Sequence, residues 1–115
     1  MKTNAFITLA LLALFSLTAF AGDAVKETEF KVPGNCGMCK TRIEKTMKIP
    51  AVKFAKWDKK SKMLKIAYLP EKITLDSLQH LLASVGHDAG AYNAADAVYE
   101  SLPACCLYRG ADNTH

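Results

Sequence analysis

Most of the chemistry open to this sequence lies in four cysteines, which come as two pairs: Cys36-Gly37-Met38-Cys39 and Cys105-Cys106. Two residues between Cys36 and Cys39 let both sulfurs converge on one ion, with the Met38 thioether between them. Adjacent Cα atoms stand about 3.8 Å apart, less than the usual separation across a disulfide, so a Cys105–Cys106 bridge would be strained. A cross-link between the two pairs and metal ligation both remain open on the residue pattern. Thiolates select soft ions, and two sulfurs suit a low-coordinate ion such as Cu(I). Zn(II) wants four ligands and would draw in Cys105, Cys106 or His87. Thiol–disulfide exchange through Cys36 and Cys39 is the competing chemistry. No Ser/His/Asp or paired-carboxylate constellation accompanies the cysteines, so a binding protein is expected rather than an enzyme.

The elements that must position these sulfurs are legible as periodicities. Thr28, Phe30 and Val32 alternate with Glu29 and Lys31, as in a half-buried strand. Pro33-Gly34-Asn35 ends it and opens a loop holding Cys36. From Cys39 to Lys48 the pattern is helical, with Cys39, Ile43 and Met47 on one face, until Ile49-Pro50 stops it. Both sulfurs are therefore expected beside a helix N-terminus, whose unpaired N–H groups and positive dipole end favour thiolate. Gly37 is expected to give the loop its freedom. Lys40 and Arg42 add positive charge.

Ala51–Trp57 and the alternating Leu64, Ile66 and Tyr68 predict a hairpin across the turn Asp58–Lys62. Thr74 predicts the cap of a second helix, with Leu75, Leu78, Leu82 and Val85 on its apolar face and Gly86 as its stop. His87–Tyr92 is assigned as a fourth, edge strand, and Ala94–Leu102 as a short helix capped by Asn93 and stopped by Pro103. The order strand–helix–strand–strand–helix–strand makes an α+β, ferredoxin-like βαββαβ sandwich, two helices covering one face of a four-stranded antiparallel sheet. That short final helix is long enough to carry Cys105-Cys106 back toward Cys36 and Cys39. Three or four sulfurs together would accept Zn(II) or a multinuclear Cu(I) cluster as well as one Cu(I).

The chain opens with Lys2, an uncharged run over 5–20 and a small-x-small pattern, Ala19-Phe20-Ala21. This predicts a signal peptide over 1–21, a periplasmic or secreted product, and no stable membrane insertion after cleavage. The domain is then expected over 22–92, with an extension over 93–115. Removing 1–21 takes Lys2 away and lowers the formal charge from +4 to +3. Lysines at 53, 56, 59, 60, 62 and 65 make the hairpin basic, which suits an acidic-surfaced protein partner. The patch lacks interleaved stacking aromatics, and nucleic acid is not expected. His80 is expected in solvent and His115 is a tail residue.

From about Glu27 to Tyr92 the sequence resembles the heavy-metal-associated domain family, which includes copper chaperones, copper-ATPase amino-terminal modules and a periplasmic mercury-binding protein. The resemblance rests on Phe30-x-Val32 leading into Cys36-x-x-Cys39, Ile43-Glu44, Val52 before Ala55-Lys56-Trp57-Asp58, Leu64-x-Ile66-x-Tyr68, and Leu78 through Gly86-His87-Asp88. It implies the βαββαβ fold, metal held by Cys36 and Cys39, and delivery to a transporter or acceptor domain by ligand exchange. Cu(I), Hg(II) and Zn(II) are the ions it suggests. It also implies that His87 lies in the loop beside the metal loop, as a ligand or a group behind the ligands. Two features depart from the family: Pro33-Gly34-Asn35 stands where a Gly-Met loop support is usual, and the extension carrying Cys105-Cys106 is added.

Overall fold

The computed structural model describes residues 24–110. The signal peptide expected over 1–21 and the tail residue His115 lie outside the described residues. Three strands, β1 (Lys26–Lys31), β2 (Val52–Trp57) and β3 (Met63–Tyr68), form one antiparallel sheet in the order β1-β3-β2. Helix α1 (Gly37–Thr46) joins β1 to β2, and α2 (Leu75–Ser84) follows β3. The extension adds a short helix, α3 (Asp96–Glu100), and a 3₁₀ turn, Ala104–Cys106.

The sheet forms where the alternation places it. Thr28 pairs with Ile66 and Phe30 with Leu64 on one side of β3, while Ala55 and Trp57 meet the same two residues on the other. These residues therefore share one face, which the helices cover. Leu64, Ile66, Tyr68 and Trp57 are buried there against Ile43 and Met47 of α1 and Leu78 and Leu82 of α2. The hairpin turn closes on Asp58, whose side chain accepts the Lys60 and Ser61 amides at 2.7 and 3.1 Å. Thr74 caps α2 by accepting the Ser77 amide at 3.1 Å.

Gly86 ends α2 with a φ of 106°. Its amide bonds the Ala83 carbonyl, and the His87 amide bonds that of Leu82, the paired bonds of a Schellman cap.

Two expectations need correction. The fourth strand over 87–92 is not formed, and β1 has no strand on its outer edge among the described residues. The backbone groups a strand would use are committed elsewhere. Ala89 and Tyr92 bond each other around Gly90, which turns at φ 56°, and the Asp88 amide donates to the Tyr108 hydroxyl. The helix expected over 94–102 shrinks to Asp96–Glu100, because the Ala94 amide donates to Asp88 Oδ1 instead of opening a helix at Asn93. Among the described residues no helix is long and apolar enough to cross a membrane.

Candidate metal centre

Helix α1 begins two residues earlier than its periodicity suggested, and Cys36 is its N-cap, in an extended conformation. Its carbonyl accepts the Lys40 amide at 3.1 Å while its side chain makes no capping bond, so the sulfur stays available. Cys39 lies one turn on and is fully buried, receiving the Asn35 amide at 3.4 Å on its sulfur. The first turn holds no acidic residue, which leaves the positive end of the helix uncompensated beside both sulfurs.

Gly37 is not the glycine that shapes the loop. It lies inside α1, takes no positive φ, and a Cβ there would meet nothing within 4 Å. Gly34 has that role. A Cβ there would stand 2.9 Å from Trp57 Cζ2 and 3.1 Å from Cys39 Cβ. The Trp57 indole thus backs the loop, and its Nε1 donates to the Val32 carbonyl at 2.8 Å. Asn35, 3% exposed, donates from Nδ2 to the Leu107 carbonyl at 3.3 Å and ties the loop to the extension.

The extension is latched at its far end. Arg109 Nη2 donates to Asp88 Oδ1 at 2.6 Å and to the Ala94 carbonyl at 2.7 Å, and its guanidinium lies 4.4 Å from the Tyr99 ring. Tyr108 stacks on His87 with ring centroids 5.4 Å apart and donates its hydroxyl to the Gly86 carbonyl at 2.7 Å. These contacts bring the 3₁₀ turn against α1, where both pairs of cysteines meet.

Cys36 Sγ lies 3.7 Å from Cys39 Sγ, 3.4 Å from Cys106 Sγ and 2.8 Å from Cys105 Sγ. Cys105 and Cys106 Sγ are 3.8 Å apart. The sulfurs of Cys36, Cys39 and Cys106 all lie within 4.8 Å of one another, and Arg42 Nη1 reaches Cys106 Sγ at 3.4 Å. All four thiols are free. Burial pushes the Cys36 thiol up, but hydrogen bonds from Cys105, the Cys39 backbone, Cys106 and Cys39 outweigh it and bring it down to about 6. Burial and the bond to Cys39 push Cys106 well above the usual thiol range. Hydrogen bonding to Cys36, then burial, raises Cys105. One sulfur is thus poised as a thiolate among proton-bearing neighbours.

The spacing can hold a metal. A tetrahedral set at a metal–sulfur distance of about 2.3 Å has sulfur–sulfur edges of about 3.8 Å. Three of the separations above lie within about half an ångström of that edge, and a linear two-thiolate geometry would need a wider pair.

His87 and Met38 are placed differently from Cys105 and Cys106. His87 is neither exposed nor beside the sulfurs in the mutually close set. It is fully buried, its Nδ1 is 2.9 Å from the Pro33 carbonyl, and its Nε2 has no hydrogen-bond partner among the described residues. Burial lowers its pKa more than the Pro33 contact raises it. His87 braces the start of the metal loop. Met38 is 52% exposed, with Sδ 3.5 Å from Cys105 Sγ, so it stands on the outer side of the cluster rather than packing the loop. His80 is exposed, as expected, and meets Tyr92 edge-on.

Sequence reasoning missed Asn35, Tyr108 and Arg109 as supports of this centre, and it credited Arg42 only with general charge. A Tyr-Arg pair directly after Leu107, opposite the Asp88 that follows the helix stop, is the signal that was present.

No protein-family model matches this sequence, and no curated protein matches it. Solved structures do. The chain is similar to the Cu(I)-loaded N-terminal domain of a potential copper-translocating P-type ATPase from Bacillus subtilis, at 25% identity and a TM-score of 0.54. That match covers 57% of this chain and 85% of the other. It is similar to the CopZ metallochaperone at 21% identity and a TM-score of 0.53, over 56% of this chain and all of the other. Oxidized MerP from Ralstonia metallidurans matches at 19% identity and a TM-score of 0.55, over 58% of this chain and 96% of that one. In this chain the Cys36-x-x-Cys39 pair sits at the start of the first helix. By fold and by the position of that pair, the described domain resembles the heavy-metal-associated domain family.

Proposed function

We propose that this protein is an exported soft-metal carrier or scavenger that holds Cu(I) on cysteine sulfur and passes it on by thiolate exchange. The observation that carries this reading is the meeting of Cys36, Cys39 and Cys106 within 4.8 Å at the N-terminus of α1. Cu(I) is the cargo, Cys36 and Cys39 are the principal ligands, and Cys106 and Cys105 complete the sulfur set. The likeness to a Cu(I)-loaded ATPase domain and to a metallochaperone supports copper, and the likeness to MerP keeps Hg(II) as the second candidate. Zn(II) needs all four sulfurs around one point.

The route in and out follows from burial. Cys39 and Cys106 are fully buried, whereas Cys36 and Cys105 are half-buried and Met38 is exposed. An incoming partner thiolate therefore meets the side of Cys36 and Cys105 first, and the buried pair releases last. Stepwise replacement of one sulfur at a time keeps the ion three-coordinate throughout. The exposed lysines of the hairpin favour an acidic-surfaced acceptor, such as a transporter's metal-binding domain. The leader over 1–21 directs the chain out of the cytoplasm, leaving 22–92 as the metal-binding domain and 93–115 as its extension. His87 acts behind the ligands.

The test is anaerobic Cu(I) titration of reduced protein against a chromophoric Cu(I) chelator. Parent protein is expected to outcompete the chelator, and the Cys36→Ser/Cys39→Ser double variant to lose at least a hundredfold in affinity. Unchanged affinity in that variant overturns the reading. A second reading, thiol–disulfide exchange, is favoured by one observation, the 2.8 Å approach of Cys105 to a Cys36 thiol lowered to about 6. Turnover in an insulin-reduction assay would support it.

A further inference from the structure

The four sulfurs are unevenly spaced, from 2.8 Å between Cys36 and Cys105 to 3.8 Å between Cys105 and Cys106 among the contacts they make. They form two triangles that share an edge. Cys36, Cys39 and Cys106 make the first, with every pair within 4.8 Å. Cys36, Cys105 and Cys106 make the second, with sides of 2.8, 3.4 and 3.8 Å. The shared edge is Cys36–Cys106, and Cys105 stands outside the mutually close set that contains Cys39. A single tetrahedral ion needs all six edges near about 3.8 Å, including one between Cys39 and Cys105. Three-coordinate ions need only the triangles.

We propose that the protein binds two Cu(I) ions side by side, bridged by the thiolates of Cys36 and Cys106, with Cys39 completing the inner site and Cys105 the outer one. This inference rests on the copper reading above and sharpens it. Thiolate sulfur has lone pairs enough to bridge, and Cu(I) accepts three sulfur ligands without a preferred tetrahedron. The two sites differ in access. The inner one is lined by the fully buried Cys39 and Cys106, and the outer one is open on the side where Met38 Sδ lies 3.5 Å from Cys105. Met38 supplies the outer ion with a weak, replaceable thioether, which makes the outer ion the one that exchanges first.

Charge is consistent with this arrangement. Four thiolates around two monovalent ions leave a net charge of minus two. Arg42, whose Nη1 is 3.4 Å from Cys106 Sγ, and the N-terminal end of α1 both stand beside that charge. Loading involves no oxidation. Each ion forms bonds to sulfur, the thiol protons pass to solvent, and copper remains Cu(I). Cys105 lies on the short 3₁₀ turn and must move outward by about 1 Å to open its 2.8 Å contact to a bridging separation.

The experiment is native mass spectrometry of the reduced, signal-processed chain titrated anaerobically with Cu(I), alongside X-ray absorption at the copper edge. One chain carrying two copper ions, with a copper–copper scattering shell, is expected. Cys105→Ser and Cys39→Ser should each carry one ion and lose that shell. Met38→Leu should keep two ions but release the outer one at least tenfold faster to a chelator. A parent chain that saturates at one ion without the shell overturns the two-ion site and leaves the copper reading standing. So does two-ion binding found only in a chain dimer. No bound copper at all removes both. Should a cysteine variant fail to fold, the parent's stoichiometry and scattering shell decide the matter by themselves.

Discussion

Arg109 grips Asp88 with two of its nitrogens, Nη2 to Oδ1 at 2.6 Å and Nε to Oδ2 at 3.3 Å, and so fastens the end of the extension to the segment just after α2. Both side chains are less than a third exposed. Cys105 and Cys106 directly precede both this anchor and Leu107, whose carbonyl accepts from Asn35 and fixes the segment at the metal loop. The position of these two sulfurs thus depends on bonds made outside the two cysteines, by Asn35 and Arg109.

Removing that grip is expected to free the extension while leaving the sheet intact. Arg109→Ala should cost about 2 kcal/mol, the order expected for a partly buried charge-assisted pair. Burial alone would raise the Asp88 carboxyl, but the bonds from Arg109 and the Ala94 amide hold it below the usual carboxylate range. Its contribution is therefore present above about pH 4 and lost as pH falls through its folded value. Urea denaturation of parent and variant between pH 2.5 and 7 checks this, and the gap between them should narrow in acid.

Cys36 should be the thiol that alkylates at low pH. With its pKa near 6, its iodoacetamide reaction should reach half its limiting rate close to pH 6, while Cys105 reacts only in the alkaline range. Cys105→Ala removes a hydrogen bond that holds Cys36 down, so the Cys36 midpoint should move upward. Peptide mapping after timed alkylation reads both sites. An unmoved midpoint would show that Cys105 does not tune Cys36.

Gly34→Ala tests the packing behind the loop. The added Cβ would press on Trp57 Cζ2 at 2.9 Å and Cys39 Cβ at 3.1 Å, contacts that rigid neighbours relieve only by shifting. A loss of about 1–3 kcal/mol is expected, as for other overpacked sites. Trp57 fluorescence should shift with it, and Cu(I) affinity should fall because Cys39 is displaced. Gly37→Ala, with open space at its Cβ, should be neutral or slightly stabilising by contrast.

His87 predicts a pH dependence of its own. Burial lowers its pKa, so the folded protein holds it neutral while the unfolded chain protonates it at about pH 6.5. The stability this gives is full above about pH 6.5 and declines as pH falls through the lower folded value. His87→Phe keeps the bulk beside Tyr108 but loses the contact to the Pro33 carbonyl. The variant should be less stable at neutral pH by about 1–2 kcal/mol, and its stability should vary less between pH 5 and 7. Thermal melts across that range are the check.

Export is checked at the amino terminus. Protein recovered from the periplasm of a bacterial host should begin at Gly22, one residue past the Ala19-Phe20-Ala21 pattern. Intact mass of membrane-bound material that still begins at Met1 would refute it.

How much of this was readable follows from range in sequence. The strand alternation from Thr28 to Val32 and from Leu64 to Tyr68, the Thr74 cap and the Gly86 stop are local signals, and the structure follows them. The start of α1 was misjudged because Gly37 is a poor helix former, yet as its first residue it gives up little there. The fourth strand failed for a nonlocal reason. The Asp88 amide is taken by Tyr108, twenty residues away, and no periodicity records such a claim on a backbone group. The return of Cys105-Cys106 to Cys36 was anticipated from a helix over 94–102 that the structure shortens to Asp96–Glu100, and the residues that enforce it, Asn35 and Arg109, act through bonds to partners distant in sequence.

The sulfur cluster also joins distant points of the polymer. Cys36 and Cys105 are 69 residues apart in sequence, so an ion or a disulfide linking them closes most of the described chain into a ring. By chain entropy, such a closure removes about 4 kcal/mol of freedom from the unfolded ensemble. Loading and folding then share one equilibrium, and midpoint temperature should climb with free Cu(I). A cell that strips this protein of its cargo would at the same step loosen it, marking the empty carrier for proteolysis while the filled one persists.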